Sequence, residues 1–254
     1  MSKISITLPS LYSAACKRTI DNILTTSVSH DIEIIVVGSQ ETLSEIYDAQ
    51  RIDHGQVIWQ LDQKRNGCNS AHYEASKHAT GEFLMAFADD HLLIHGWDNL
   101  VVDYFRLYEI QKPFLLGQRQ IARPGFLGHI GTVFGIYYPY FPFMRTEDVN
   151  KIGGWLSPDY RHGFGDPDLA LRVWAAGGYC EWMDIPTIEV ITEEDDKHHQ
   201  DHGQFLANDM ILFTNRWKDK YGKGWDVSHV RGFNIDRQIN SLPEGARTYY
   251  HNSP

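Results

Sequence analysis

A chain of 254 residues that is 42% hydrophobic and carries a formal charge of −10 has room for one large domain or two small ones, and its acidity argues against a nucleic-acid backbone as partner. No apolar run approaches the roughly 20 residues that cross a bilayer, and Met1-Ser2-Lys3 leads straight into a strand-like segment without a secretory core. No integral membrane segment and a cytoplasmic setting are therefore expected. Three well-separated cysteines, Cys16, Cys68 and Cys180, fit reduced thiols filling a core better than a disulfide framework.

Ile4-Ser5-Ile6-Thr7-Leu8 alternates and is β-rich, so a first strand is expected there, ended by Pro9-Ser10. Ile20, Ile23 and Leu24 have helical spacing and place a helix over residues 14–26. A buried strand over 32–37 closes on Gly38-Ser39, and a helix over 41–51 follows. A third strand (56–61), a helix (67–78) and a fourth strand (83–88) complete a β-α-β rhythm. That rhythm implies a mostly parallel sheet with helices on both faces.

A helix over 97–110 and a strand over 114–122 come next. Residues 123–143 then intersperse glycine with Phe126, Phe134, Tyr137, Tyr138, Tyr140, Phe141 and Phe143, a loop or hairpin whose rings are mostly core, with one or two facing a cleft. Asp166-Pro167 reads as the N-cap and first turn of a helix ending at Gly177-Gly178. Short strands over 179–183 and 187–192, a charged His-rich stretch over 193–202, a helix over about 204–217 and an aperiodic tail complete the chain.

The fourth strand ends in Asp89-Asp90. Carboxylates at the carboxyl end of a central strand face the crevice where open α/β sheets take ligands. As hard oxygen ligands they suit Mg²⁺ or Mn²⁺ bridging to a phosphate; the plain alternative is a solvated turn.

Five stretches taken in order resemble the inverting GT-A glycosyltransferases of family 2. They are Ile4-Ser5-Ile6-Thr7-Leu8-Pro9-Ser10; Glu33-Ile34-Ile35-Val36-Val37; Arg65-Asn66-Gly67 with Ala79-Thr80-Gly81-Glu82-Phe83; Ala88-Asp89-Asp90 in the place of the Asp-x-Asp motif; and Ile152-Gly153-Gly154-Trp155 with Gly163-Phe164-Gly165-Asp166-Pro167-Asp168-Leu169 and Arg172. The resemblance implies a GT-A (Rossmann-like) α/β fold: a mostly parallel central sheet flanked by helices, with a smaller mixed sheet on the acceptor side. One catalytic domain over 1–220 would then divide near residue 112 into nucleotide and acceptor halves, leaving 221–254 as an extension.

The same resemblance implies a nucleotide-sugar donor (a UDP-sugar favoured, a GDP-sugar allowed), a divalent metal, and inverting transfer to a hydroxyl acceptor. It assigns metal to Asp90, ribose or metal-bound water to Asp89, and the general base to Asp166. Pro9, Ser10, Leu11, Gly38, Arg65 and Asn66 would line the nucleotide. The family's base-binding Asp after the second strand is missing here, with Gln40, Glu41 or Asp62 as substitutes. Gly165 replaces the usual Glu, and the third metal ligand falls to His198 or His199. His91 is expected to be structural beside the metal pair. Asp168 is expected to complement the helix dipole, within reach of Arg172. A nucleotidyltransferase, or a binding module that keeps the fold, are the competing readings.

Overall fold

Three of the apolar runs lie side by side at the middle of one sheet. The computed structural model describes residues 1–11, 13–49, 57–62, 66–110, 112–121, 131–133, 136–190 and 202–221. In it Lys3–Ser10 (β1) pairs in parallel with Asp31–Gly38 (β2) on one side and Phe83–Ala86 (β4) on the other, and β2 carries Val57–Leu61 (β3) outside it. Parallel pairing needs long crossovers. These are Ser13–Thr26 (α1), Gln40–Ala49 (α2) and Cys68–Ser76 (α3). Nearly every residue of β1, β2 and β4 is buried, which is why these strands read as continuous apolar runs.

Past β4 the sheet changes direction. His91–Leu93 (β5), Trp97–Tyr108 (α4) and Phe114–Gln120 (β6) follow in the chain. Gly131–Val133 (β7) and Ile136–Tyr138 (β8) form a separate hairpin, and Pro142–Arg145 (β9) inserts antiparallel between β4 and β6. After Thr146–Val149 (α5) and Gly165–Ala175 (α6) comes Tyr179–Val190 (β10), and His202–Tyr221 (α7) ends the described chain. The strand order is β3-β2-β1-β4-β9-β6-β10-β5. The expected strands over 179–183 and 187–192 are one strand. Its register on β6 shifts on either side of Pro186, so the ladder slips at the residue lacking an N–H instead of ending there.

The strand leading to the acidic pair is anchored by aromatics. Phe83 stacks on Phe143 (4.9 Å between centroids) and meets the edge of Phe105 (5.2 Å). The Arg145 guanidinium lies 5.2 Å over the same ring and pairs with Glu82 and Glu109, each at 2.6 Å. Losing one such buried ring to alanine costs about 3–5 kcal/mol. No described helix is long and apolar enough to cross a membrane.

Candidate active site

The carboxyl ends of β2, β1 and β4 lie next to one another, and chain order reverses between β1 and β4, the place where such sheets open a ligand crevice. Ser10, buried at the end of β1, donates its hydroxyl to Asp89 Oδ2 at 2.5 Å. Gly38 ends β2 against the Ser10 carbonyl, so tightly that a Cβ would sit 2.9 Å from it. Pro9 is half-buried in the β1–β2 ladder, while Leu11 is exposed and its carbonyl accepts from Thr42 at 2.8 Å. Asn66 is exposed before α3. Arg65 lies outside the described residues, as do His198 and His199.

The Asp89-Asp90 turn is tied to α1. Thr19 donates to the Asp89 carbonyl at 3.0 Å, and Asn22 brackets Leu93 with bonds of 2.7 and 3.1 Å. His91 braces Asp90 from behind. Gln120 Nε2 lies 3.0 Å from His91 Nε2, and an amide nitrogen only donates. The network therefore assigns the imidazole proton to Nδ1, which contacts Asp90 Oδ1. Phe87 and Phe141 pack against the ring. The Asp90 side chain remains 62% exposed. Among the described residues no three side chains of ligating type converge on one point.

The opposite wall comes from α6 and the loop before it. The N-cap of α6 is Phe164, in the left-handed conformation with φ 61°, and no side chain caps the helix. Asp166 is thus not the cap that Asp-Pro suggested; it falls within the first turn, and its carboxylate has no hydrogen-bond partner among the described residues. Partial exposure lets water reach it, yet the protein around it desolvates the charge and raises its pKa from 3.8 to about 7. Asp209 of α7 holds the preceding loop by accepting the N–H groups of Arg161, His162 and Gly163 at 3.0, 2.7 and 2.9 Å.

Asp168 does more than complement a dipole. Fully buried, it accepts from Tyr160 Oη (3.0 Å), Trp217 Nε1 (2.9 Å), Arg216 (3.1 Å) and Arg172 Nε (2.8 Å). Arg172, which bears out the expected pairing, also donates to the carbonyls of Ile152, Gly154 and Trp155. One carboxylate thereby fastens α6 to α7 and, through Arg172, to the Gly153-Gly154-Trp155 stretch.

A cavity of about 180 Å³ lies between α3, residues 86–88, the 138–142 segment and the start of α6; Ala88 lines it, whereas Ser10, Gly38, Asp89 and Asp90 do not. Asp166, Ala88, His72 and Tyr140 all line it. Both non-glycine residues with positive φ among those described, Phe141 (φ 49°) and Phe164 (φ 61°), line it too. Such strain, about 1–3 kcal/mol a residue, collects at functional sites. Where α3 meets the loop before α6 the backbones touch. A Cβ on Gly67 (φ +94°) would lie 2.0 Å from the Arg161 carbonyl oxygen, and one on Gly165 would lie 2.1 Å from Asn69 Oδ1. A side chain at position 165 would therefore run into Asn69.

Cys68 departs from the expectation for a core cysteine. Cys16 and Cys180 are buried, whereas Cys68 is exposed at the start of α3. Crowding by protein, and then the charges of Asp166, Asp209, Asp89 and Asp90, push its thiol up to about 12. Sequence reasoning missed His72, Asn69 and Asp209. The first two stand three apart on α3 and are buried though polar, a mark of a helix facing a site more than a core.

No family model matches the chain, and no curated protein matches it in sequence. Solved structures do resemble it. The GalNAc-T7 structure with UDP, GalNAc and Mn²⁺ aligns with a TM-score of 0.70 at 14% identity, over 89% of this chain and 50% of the other. The mannosyltransferase PcManGT from Pyrobaculum calidifontis, in complex with GDP-Man and Mn²⁺, aligns at 0.62 and 17% identity, over 84% and 64%. S. aureus TarS 1-349 aligns at 0.61 and 13%, over 85% and 66%. The chain thus spans between half and two-thirds of these proteins. At such identities the likeness is one of fold, and the fold is GT-A.

Proposed function

We propose that this chain is a metal-dependent, inverting glycosyltransferase that moves a sugar from a nucleoside-diphosphate sugar to a hydroxyl acceptor. One observation carries the reading. Asp166, a carboxylate with no partner among the described residues and its pKa raised to about 7, lines a cavity that begins one residue before the Asp89-Asp90 turn. The solved structures of like fold, crystallised with UDP and GalNAc, GDP-Man or UDP-GlcNAc, two of them with Mn²⁺, support the substrate class.

The residues divide the work. Asp90, oriented by His91, and Asp89, held by Ser10, would hold Mn²⁺ or Mg²⁺ against the diphosphate, with His198 or His199 as further ligand. A divalent ion there supplies Lewis-acid stabilisation of the charge that grows on the leaving diphosphate. Pro9, Ser10, Leu11, Gly38, Arg65 and Asn66 border the nucleotide. Asp166 accepts the acceptor hydroxyl's proton as that oxygen attacks the anomeric carbon from the face opposite the diphosphate. A pKa near neutrality suits a base working there, since Asp166 is ionised above about pH 7 and still strong enough to take the proton.

The test is binding followed by turnover. UDP and GDP are titrated with and without Mn²⁺, and nucleotide sugars are then assayed for release of the diphosphate. Mn²⁺-dependent binding of one nucleotide, with turnover lost in Asp166→Asn while binding persists, is the expected pattern. Equal affinity with and without metal for every nucleotide would refute it.

A further inference from the structure

One buried polar group in the cavity has no part in the reading above. His72, on α3, is only 7% exposed and lines the cavity. Its Nδ1 lies 2.7 Å from Thr7 Oγ1, which donates to the Met85 carbonyl at 3.1 Å and accepts from Trp155 Nε1 at 3.4 Å. The Thr7 hydroxyl has one proton, and a carbonyl can only accept. Placing that proton on Met85 puts the imidazole hydrogen on Nδ1 and leaves a lone pair on Nε2. No described group takes up Nε2, and it is not among the sealed, partnerless atoms of the interior. It therefore opens on the cavity. Burial lowers the His72 pKa to about 3, so the ring stays a neutral acceptor.

The rest of the lining agrees on the ligand. Among the described residues that line the cavity there is neither lysine nor arginine; the carboxylate is Asp166, His162 is the second imidazole, and Phe87, Tyr140 and Phe141 supply ring surface. A carboxylate- or phosphate-bearing group would meet a negative charge and a lone pair, with no lysine or arginine among the described lining residues to offset them. A hydroxyl-bearing ring offers O–H donors to Nε2 and apolar C–H faces to the aromatics. The cavity starts at Ala88, beside the acidic turn, so a diphosphate held there delivers the sugar attached to it into this space.

Resting on the transferase reading, we infer that His72 Nε2 accepts a hydrogen bond from a hydroxyl of the donor sugar, and that this site selects an uncharged sugar over an acidic one. The test uses the full chain with saturating Mn²⁺. Affinities for UDP, UDP-glucose, UDP-N-acetylglucosamine, GDP, GDP-mannose and UDP-glucuronate are measured for the wild type and His72→Phe, which keeps a ring and loses the acceptor. The neutral nucleotide sugar that binds best should weaken about 5-fold in the variant, while its bare diphosphate stays within about 2-fold. The uronate should bind worst to the wild type. Nitrogen-15 spectra of the wild-type imidazole give a second readout should the variant fold badly. An unprotonated Nε2 that shifts with the nucleotide sugar and not with the bare diphosphate supports the assignment.

A protonated Nε2, preference for the uronate, or equal loss of sugar and bare diphosphate binding would overturn it while leaving the transferase reading in place. Absence of metal-dependent binding of either bare diphosphate to the wild type would overturn both.

Discussion

Asp166→Asn should make the protein more stable, by an amount that grows as pH rises from about 4 and levels off above about 7. The folded carboxyl titrates at about 7 against 3.8 for the free group. A pKa raised by folding means that stability is intact below about pH 3.8 and declines as pH climbs through about 7, because the folded site resists ionisation that the unfolded chain accepts. Three units at 1.36 kcal/mol each set a ceiling of about 4 kcal/mol. Asp166 keeps partial exposure, so solvent screening brings the expected figure to about 1–2 kcal/mol. Asparagine has nearly the same shape and no charge, and escapes that penalty. Thermal unfolding in EDTA should place the variant about 2–8 °C above wild type at about pH 8 and within about 2 °C of it at about pH 4.5. A gain of equal size at both pH values would assign the effect to packing. No gain at about pH 8 would mean that the carboxylate is solvated or paired after all, and the argument for a tuned base would fall.

Three other outcomes are expected. Asp90→Asn should remove the Mn²⁺ dependence of nucleotide affinity in calorimetric titrations while leaving the melting temperature in EDTA nearly unchanged, since that side chain is 62% exposed. Asp168→Ala strips a fully buried charge from two arginines, a tyrosine and a tryptophan, and should lower stability by about 3–5 kcal/mol in urea unfolding. Gly165→Ala forces a methyl against Asn69 Oδ1 and should cost about 1–3 kcal/mol, with part recovered when Asn69→Ala is added; simple additivity of the two changes would contradict the contact.

The first half of the fold was legible because its strands are buried on both faces and its helices are punctuated in the ordinary way. Residues 83–86 and Asp89-Asp90 announce a central strand and its exit without any partner being known. The second half was harder, since its determinants are distant in sequence. Pro186 looks like a strand terminator, and only the ladder with β6 shows that the strand resumes. Asp-Pro at 166–167 looks like a helix start, but Phe164 makes the turn and moves the cap upstream. Asp168 reads as one more acid in a first turn, because Arg216 and Trp217, which reveal its role, arrive on α7. His72 carries no pattern of its own; what distinguishes it is Thr7 at its back and open space at its front.

The tight joint between α3 and the loop ahead of α6 bears on redesign. Gly67 has no space for a methyl group against the Arg161 backbone, and Gly165 has none while Asn69 keeps its side chain, so that flank of the cavity has little slack to give. Enlarging the chamber for a bulkier ring would have to begin on the opposite flank, where trimming Tyr140 or Phe141 removes whole aromatic groups without disturbing a backbone-to-backbone joint.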